Sequence, residues 1–183
     1  MTDSTDSRAQ STYQVRLDWG SGGLARLADA GIVVIVDAIG ASPELATEAA
    51  ELPHAPTVLL GSLRNATATA RAAYDEQLAR GGRTAINLVL AGDRADGNEG
   101  GFAVEDYLAA GAIGDALSAL GIDHSAPDVA VATEGFRPLV RALKHLLSAS
   151  AAGLALAAEG RRDEVRAAAE LDAESEATRA LEL

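Results

Sequence analysis

Two carboxylates stand side by side at Glu105 and Asp106, inside the stretch AGDRADGNEGGFAVEDYLAAGA, residues 91 to 112. A third, Asp37, ends the uninterrupted β-branched run IVVIVD at residues 32 to 37. Carboxylates can hold a hard divalent cation through oxygen, or move a proton to and from water, if the fold brings them together. A carboxylate at the end of a buried strand is costly to leave without a partner, which favours a site role for Asp37. Glu105 and Asp106 also have a plainer reading, because acids in the first turn of a helix are favoured by its dipole. Asp93, Asp96 and Glu99 read as a solvated loop, and the glycines at 97, 100 and 101 predict a mobile lid from Asp93 to Gly101.

Two further loops could bind an anion. In LLGSLRNA, Gly61 turns the chain after a short apolar run and Ser62 is expected to cap the helix that follows. Unpaired main-chain N–H groups there would make an anion site, with Asn65 nearby and Arg64 less certainly directed at it. In VDAIGAS, Ser42 is placed as the cap of a helix with Pro43 in its first turn. Familiar motifs are missing. There is no Walker-type glycine-lysine loop and no paired-glycine dinucleotide fingerprint. Counted from Asp93, Ala95 and Gly97 occupy positions where a calcium loop needs ligands. His54, His124 and His145 have no zinc-like spacing, and His145, on a leucine-rich helix, is expected to be partly packed.

These loops need elements to hold them. TYQVRLDW (12 to 19), IVVIVD (32 to 37), TVLL (57 to 60) and TAINLVLAG (84 to 92) read as strands, the last three buried on both faces. Between them GSGGLARLADAG, SPELATEAAEL and GSLRNATATARAAYDEQLARGG read as helices, the longest ended by Gly81 and Gly82. Ala66, Ala70 and Ala73 would let that helix lie close on a sheet, and Val104, Leu108, Ile113 and Leu117 suit a helix after the acidic stretch. From Pro127 the chain reads as mostly helical, although DVAVAT (128 to 133) would also suit a strand. Leu139, Leu143, Leu146 and Leu147 are expected to share a face. Alternating strands and helices predict an α/β fold: a mostly parallel sheet with helices packed against it and a helical C-terminal third. Residues 1 to 11 are expected to be a disordered tail, and 12 to 183 a single domain. In such sheets ligands gather beyond the carboxyl ends of the strands, where all three loops fall.

Composition narrows the function. The 183 residues are 48% hydrophobic but only 3% aromatic, so the core must be aliphatic and the elements must approach closely. Fifteen basic against twenty-seven acidic residues leave a formal charge of −12, which disfavours nucleic acid and anionic lipid as partners. With no cysteine, thiolate chemistry and disulfides are excluded, and Lys144 is the only lysine. No apolar run approaches the ~20 residues of a membrane span. The start lacks an apolar signal region, and a cytoplasmic location is expected.

The order of VVIVDAIGAS, LLGSLRNATATA, INLVLAG, VEDYLAAGAI and LLSASAAGLALAAEGRRDEVRAAAELD resembles the 2-phosphosulpholactate phosphatase family over roughly residues 30 to 172. The resemblance implies magnesium-dependent removal of phosphate from a small phosphorylated hydroxy acid, which in that family is a step toward coenzyme M. The family's D-x-x-R-A-S element falls on Asp37 to Ser42, and its G-S-x-x-N-A element on Gly61 to Ala66. Its A-G element falls on Ala91 and Gly92, and E-D-x-x-x-A-G on Glu105 to Gly111. The implied catalytic residues are Asp37, Glu105 and Asp106, with Asp37 and Asp106 on the metal. Ser42, Gly61, Ser62, Asn65 and Gly92 are the implied substrate-binding residues. The partner implied is a small anionic phosphorylated substrate, and a homo-oligomer is compatible with the reading. Gly40 stands where the family has arginine, Leu90 where it has cysteine, and the family's central glycine-rich segments have no counterpart. Only LPHAP separates the helix after Ser42 from the strand at Thr57. A shortened relative that binds a small anion without turnover, or a structural or interaction protein, is therefore the alternative.

Overall fold

The structure, a computed structural model, describes residues 6–93 and 100–180. Its one sheet joins β1 (Val15–Trp19), β2 (Ile32–Val36), β3 (Thr57–Gly61), β4 (Ile86–Leu90) and β5 (Thr178–Arg179) in the order β1-β4-β2-β3-β5. The first four strands run parallel and β5 pairs antiparallel to β3. Val36 lies opposite both Gly61 and Leu90, and Leu90 opposite Trp19, so four strands end level. The fold is the mostly parallel α/β architecture that the sequence predicts, with a helical C-terminal region.

Strand side chains alternate between two cores because successive residues point to opposite faces. Ile32, Val34, Val36, Leu59, Ile86, Leu88 and Leu90 face α3 (Ala66–Ala79), α4 (Val104–Ala119) and α5 (Pro127–Leu139). Val33, Ile35, Val58 and Val89 pack instead on Leu24 of α1 (Gly20–Arg26) and on Leu45, Ala46 and Ala49 of α2 (Pro43–Ala50). Both faces are covered, which is why β2 is apolar throughout and β4 is apolar except for Asn87, whose Nδ2 donates to the Ala28 carbonyl. The remaining helices, α6 (Leu143–Ala149), α7 (Ala151–Ala158) and α8 (Arg162–Ala168), extend the first core.

Small residues replace aromatic bulk at the tightest points. A Cβ on Gly111 of α4 would lie 2.3 Å from the Ala132 carbonyl oxygen of α5. At Gly61 it would meet Ile113 Cδ1 at 2.7 Å and Val34 Cγ1 at 2.8 Å. Helix α4 can therefore lie directly against the sheet and against α5. One consequence of strand order is central to function. The chain leaves β2 toward the α1–α2 face, whereas it leaves the neighbouring β4 toward α4 on the other face. Loops that part in this way open a crevice at the carboxyl edge.

Several expectations need correction. Residues 6–11 dock rather than fray: Ser7–Ala9 form a 3-10 turn, Ala9 is buried, and Ala28 N–H donates to the Ala9 carbonyl at 2.9 Å. Gln10 also bonds the main chain of Leu17 in both directions. Residues 1–5 lie outside the described residues. DVAVAT belongs to α5, not to a strand. Pro138 closes that helix by denying it an N–H, a 3-10 turn at Val140–Ala142 follows, and Leu139 is left exposed, off the face of Leu143 and Leu147. His145 is exposed, not partly packed. The two-residue β5 has no pattern long enough to be read in advance. Among the described residues no single helix is long and apolar enough to cross a membrane.

Candidate active site

Asp106 spans the crevice between β2 and β4. It sits in the first turn of α4, 3% exposed, and accepts the Ala38 N–H on Oδ1 and the Gly92 N–H on Oδ2, each at 2.8 Å. Those donors belong to the loops after β2 and β4, so one carboxylate ties both strand ends to the helix. Gly92 has φ +73 and a Cβ there would meet the Gly101 oxygen at 2.5 Å, so glycine is required for this approach. Burial, then the nearby charge of Asp37, push the Asp106 carboxyl up to about 7, against the lowering effect of the two N–H donors. Glu105, 6% exposed, adds a smaller push in the same direction.

Asp37 follows β2 directly and is half-buried at the same edge. Its N–H donates to the Gly61 carbonyl at 3.0 Å, and its Oδ2 accepts from Ser42 Oγ at 2.5 Å. A cleft of about 390 Å³ opens over these groups, with Asp37, Gly92, Asp93, Glu105 and Asp106 on its polar side. Ile39, Phe102, Val104, Ala151 and Ala152 form its apolar side. The last two begin α7, where Ser150 is the cap and its Oγ accepts the Gly153 N–H at 3.1 Å.

The structure brings Asp37, Gly92, Glu105 and Asp106 to one cleft, with Ser42 bonded to its edge. It treats the β3 loop differently. Ser42 holds the cap position of α2 but makes no capping bond, because its hydroxyl is turned to Asp37. Ser62 does not cap α3; that helix begins after Asn65. The Ser62 N–H donates to Asn65 Oδ1, and Asn65 Nδ2 donates back to the Leu60 carbonyl. The Arg64 N–H donates to Ser62 Oγ, and the Thr67 N–H goes to Asp172 Oδ1. Three of the donors expected to be unpaired, at Ser62, Arg64 and Thr67, are thus taken, and the Arg64 guanidinium is held by Glu170, Glu174 and the Ala167 carbonyl.

Among the described residues no three His, Asp or Glu side chains converge into a metal-holding group, and of the two carboxylates that raise the Asp106 pKa, Asp37 has the larger effect. The expected lid falls mostly on residues 94–99, including Asp96 and Glu99, which lie outside the described residues. Its ends, Asp93 and Gly101, are paired by two main-chain bonds. Gly40 has φ +128, a conformation that an arginine rarely adopts. Phe102, Ala151 and Ala152 were missed. An exposed ring and two alanines carry no chemical signature in sequence; only their place in the cleft marks them.

Comparison with known families adds one finding. The family model described as 2-phosphosulpholactate phosphatase matches residues 42–176, well over half of the chain. The match includes Gly61 to Ala66, Ala91 and Gly92, and Glu105 to Gly111, but begins after Asp37, whose part in the site rests on geometry. No curated protein matches the chain.

Proposed function

This chain belongs to the 2-phosphosulpholactate phosphatase family, and on that premise we propose that it hydrolyses the phosphate monoester of a small hydroxy acid with the help of magnesium. The observation that carries the reading is the cleft where Asp106 joins two strand ends beside Asp37. The donor set fits magnesium, which takes oxygen ligands and needs few from the protein when water and substrate oxygens fill the rest. Each Asp106 oxygen has one N–H partner and keeps a free lone pair. The mutual repulsion that lifts the Asp106 pKa is one that a cation would relieve. Asp37 and Asp106 would hold the ion; once bound, it supplies charge neutralisation at phosphoryl oxygens and a lowered pKa for water.

The chain's own groups divide the remaining work. Ser42 fixes the rotamer of Asp37 through its hydroxyl. Gly92 anchors Asp106 through its N–H and lets the Gly100–Gly101 backbone close in, and Ala151 and Ala152 at the start of α7 would line the cleft beside the ester. Gly61, Ser62 and Asn65 shape the adjoining loop, supporting substrate indirectly. Water oxygen bonds to phosphorus while the bond from phosphorus to the ester oxygen breaks. Glu105 takes the proton from water and returns one to the departing alkoxide, giving the hydroxy acid and inorganic phosphate.

Phosphate release from 2-phosphosulpholactate and related 2-phosphorylated hydroxy acids, with and without magnesium, tests the proposal. Asp37→Asn and Asp106→Asn are each expected to lower kcat/KM by ~100-fold or more, with weaker magnesium binding by calorimetry. Turnover that survives chelation, or is unchanged in Asp37→Asn, would overturn it. Ester binding without turnover would identify the non-hydrolysing relative instead.

A further inference from the structure

A second cavity lies on the α1–α2 face of the sheet and shares no described lining residue with the cleft. It has a volume of about 360 Å³ and sits where the chain leaves α1 and α2, over the amino half of β4. Leu24, Leu27 and Leu52 give it apolar walls, and Asp29, His54 and Asn87 supply its polar lining. Asn87 is the odd residue of its strand. Val33 opposite it and Val89 two residues on belong to the apolar core of that face, and Asn87 itself is 3% exposed.

Asn87 Nδ2 donates to the Ala28 carbonyl at 3.0 Å, and this fixes the amide, since the flipped form would set oxygen against oxygen. Its Oδ1 is left buried without a partner, and so is His54 Nε2. Buried polar atoms are nearly always paired, so two orphans lining one cavity point to a ligand. Asp29 Oδ1 lies 3.6 Å from His54 Nδ1 and favours the proton on that nitrogen, which leaves Nε2 an acceptor as well. Two acceptors call for two N–H donors. The donors belong to a neutral group, because the buried Arg16 guanidinium, which donates to the Ala28 and Asp29 carbonyls, offsets the charge of Asp29.

We propose that this cavity binds a small neutral molecule with an apolar body and a planar NH2 group, a primary carboxamide, with one N–H directed to Asn87 Oδ1 and the other to His54 Nε2. Both orphan atoms are shielded from bulk water, so the ligand reaches them as a lining side chain turns aside. His54 is placed to do this. Its side chain is 24% exposed on the turn before β3, where Ala55 holds φ +46, a conformation that alanine rarely adopts. The inference is independent of the phosphatase reading.

Three probes of one shape decide the matter, titrated into the full chain while its amide resonances are followed by NMR. Benzamide carries the NH2 group, acetophenone replaces it with methyl, and benzylamine carries a charged ammonium. Benzamide is expected to move the signals of Leu24 to Asp29, His54 and Asn87, and to bind at least ~tenfold more tightly than either comparator. Asn87→Leu, its fold checked by a thermal melt, should abolish the preference for benzamide over acetophenone. His54→Leu, on a partly exposed turn, should reduce the same preference severalfold and serves if the Asn87 variant does not fold. Equal binding of benzamide and acetophenone, tighter binding of benzylamine, or shifts confined to other residues would each overturn the inference. Binding of none of the three would leave the orphan atoms to water and overturn it as well.

Discussion

Asp106 works as a strut and as a charged group, and the two roles pull its protonation in opposite directions. Two main-chain N–H groups favour the carboxylate, while burial and then Asp37 favour the acid, and burial with Asp37 wins, with a pKa of about 7 against an ordinary 3.8. The native state therefore binds more protons than the unfolded chain between those values. Stability should fall as pH rises from about 4 to about 7, then level off, by a few kcal/mol at most across the window. Urea melts at pH 5 and pH 8 can read this directly. Asp37→Asn removes the charge behind the second-largest push, so its stability relative to wild type should be better at pH 8 than at pH 5. An identical difference at both values would mean that the two carboxylates do not interact. Magnesium should flatten the same slope, because an ion at the pair favours both carboxylates in their charged form.

At the scale of elements, α4 links site and core. Its first turn carries Glu105 and Asp106 into the cleft, and Gly111 and Gly114, two turns along, let it press against α5. The family's E-D-x-x-x-A-G pattern thus combines a site with the packing that aims it. Gly111→Ala should gain ~1 kcal/mol of helix propensity and lose more to the clash with the Ala132 carbonyl, for a net destabilisation of ~1–3 kcal/mol. Gly135→Ala, on α5 with nothing within 4 Å of an added Cβ, should stabilise by ~0.5–1 kcal/mol. Opposite signs in thermal melts would support close packing as the glycine's purpose; a stabilising Gly111→Ala would refute it. The start of α3 shows a different logic. Helix starts attract anions, and here the anion is Asp172, which takes the Thr67 N–H at 2.8 Å and the Thr67 hydroxyl at 2.7 Å.

In the whole molecule, both ends of the described chain are used to finish the sheet. β5 covers the outer edge of β3, and residues 6–11 wrap beside β1. The N-terminal segment also serves Arg16, a buried guanidinium that donates to the carbonyls of Ser11, Tyr13, Ala28 and Asp29. Burial lowers its pKa, and charge on Asp29 partly offsets this. Deleting residues 1–11 would expose the surface under Ala9 and strip one carbonyl from Arg16. The melting temperature should drop by roughly 5 °C or more in calorimetry. An unchanged value would show the segment to be dispensable, as its polar composition suggests.

Much of this molecule was legible as sequence. The largely apolar runs at residues 32 to 37 and 84 to 92 predicted strands with both faces covered, and the glycines at 40 and 92 placed loops at the carboxyl edge. Asp37 could be named because a carboxylate ending a buried strand is costly without a partner, whereas Gly92, Glu105 and Asp106 were implied by the family resemblance. Local periodicity ends there. It cannot say that β4 inserts between β1 and β2, and that order alone brings Asp106 to Ala38, 68 residues earlier. Nor can it show that Asp172 takes the Thr67 N–H from 105 residues away, or that Asn65 turns back on Ser62. Strand order is set by which apolar faces can be buried together, a property of the whole chain. Hydrogen-bond partners are then assigned by proximity, so the carboxylates were visible in the sequence, but which of them would meet was decided by packing.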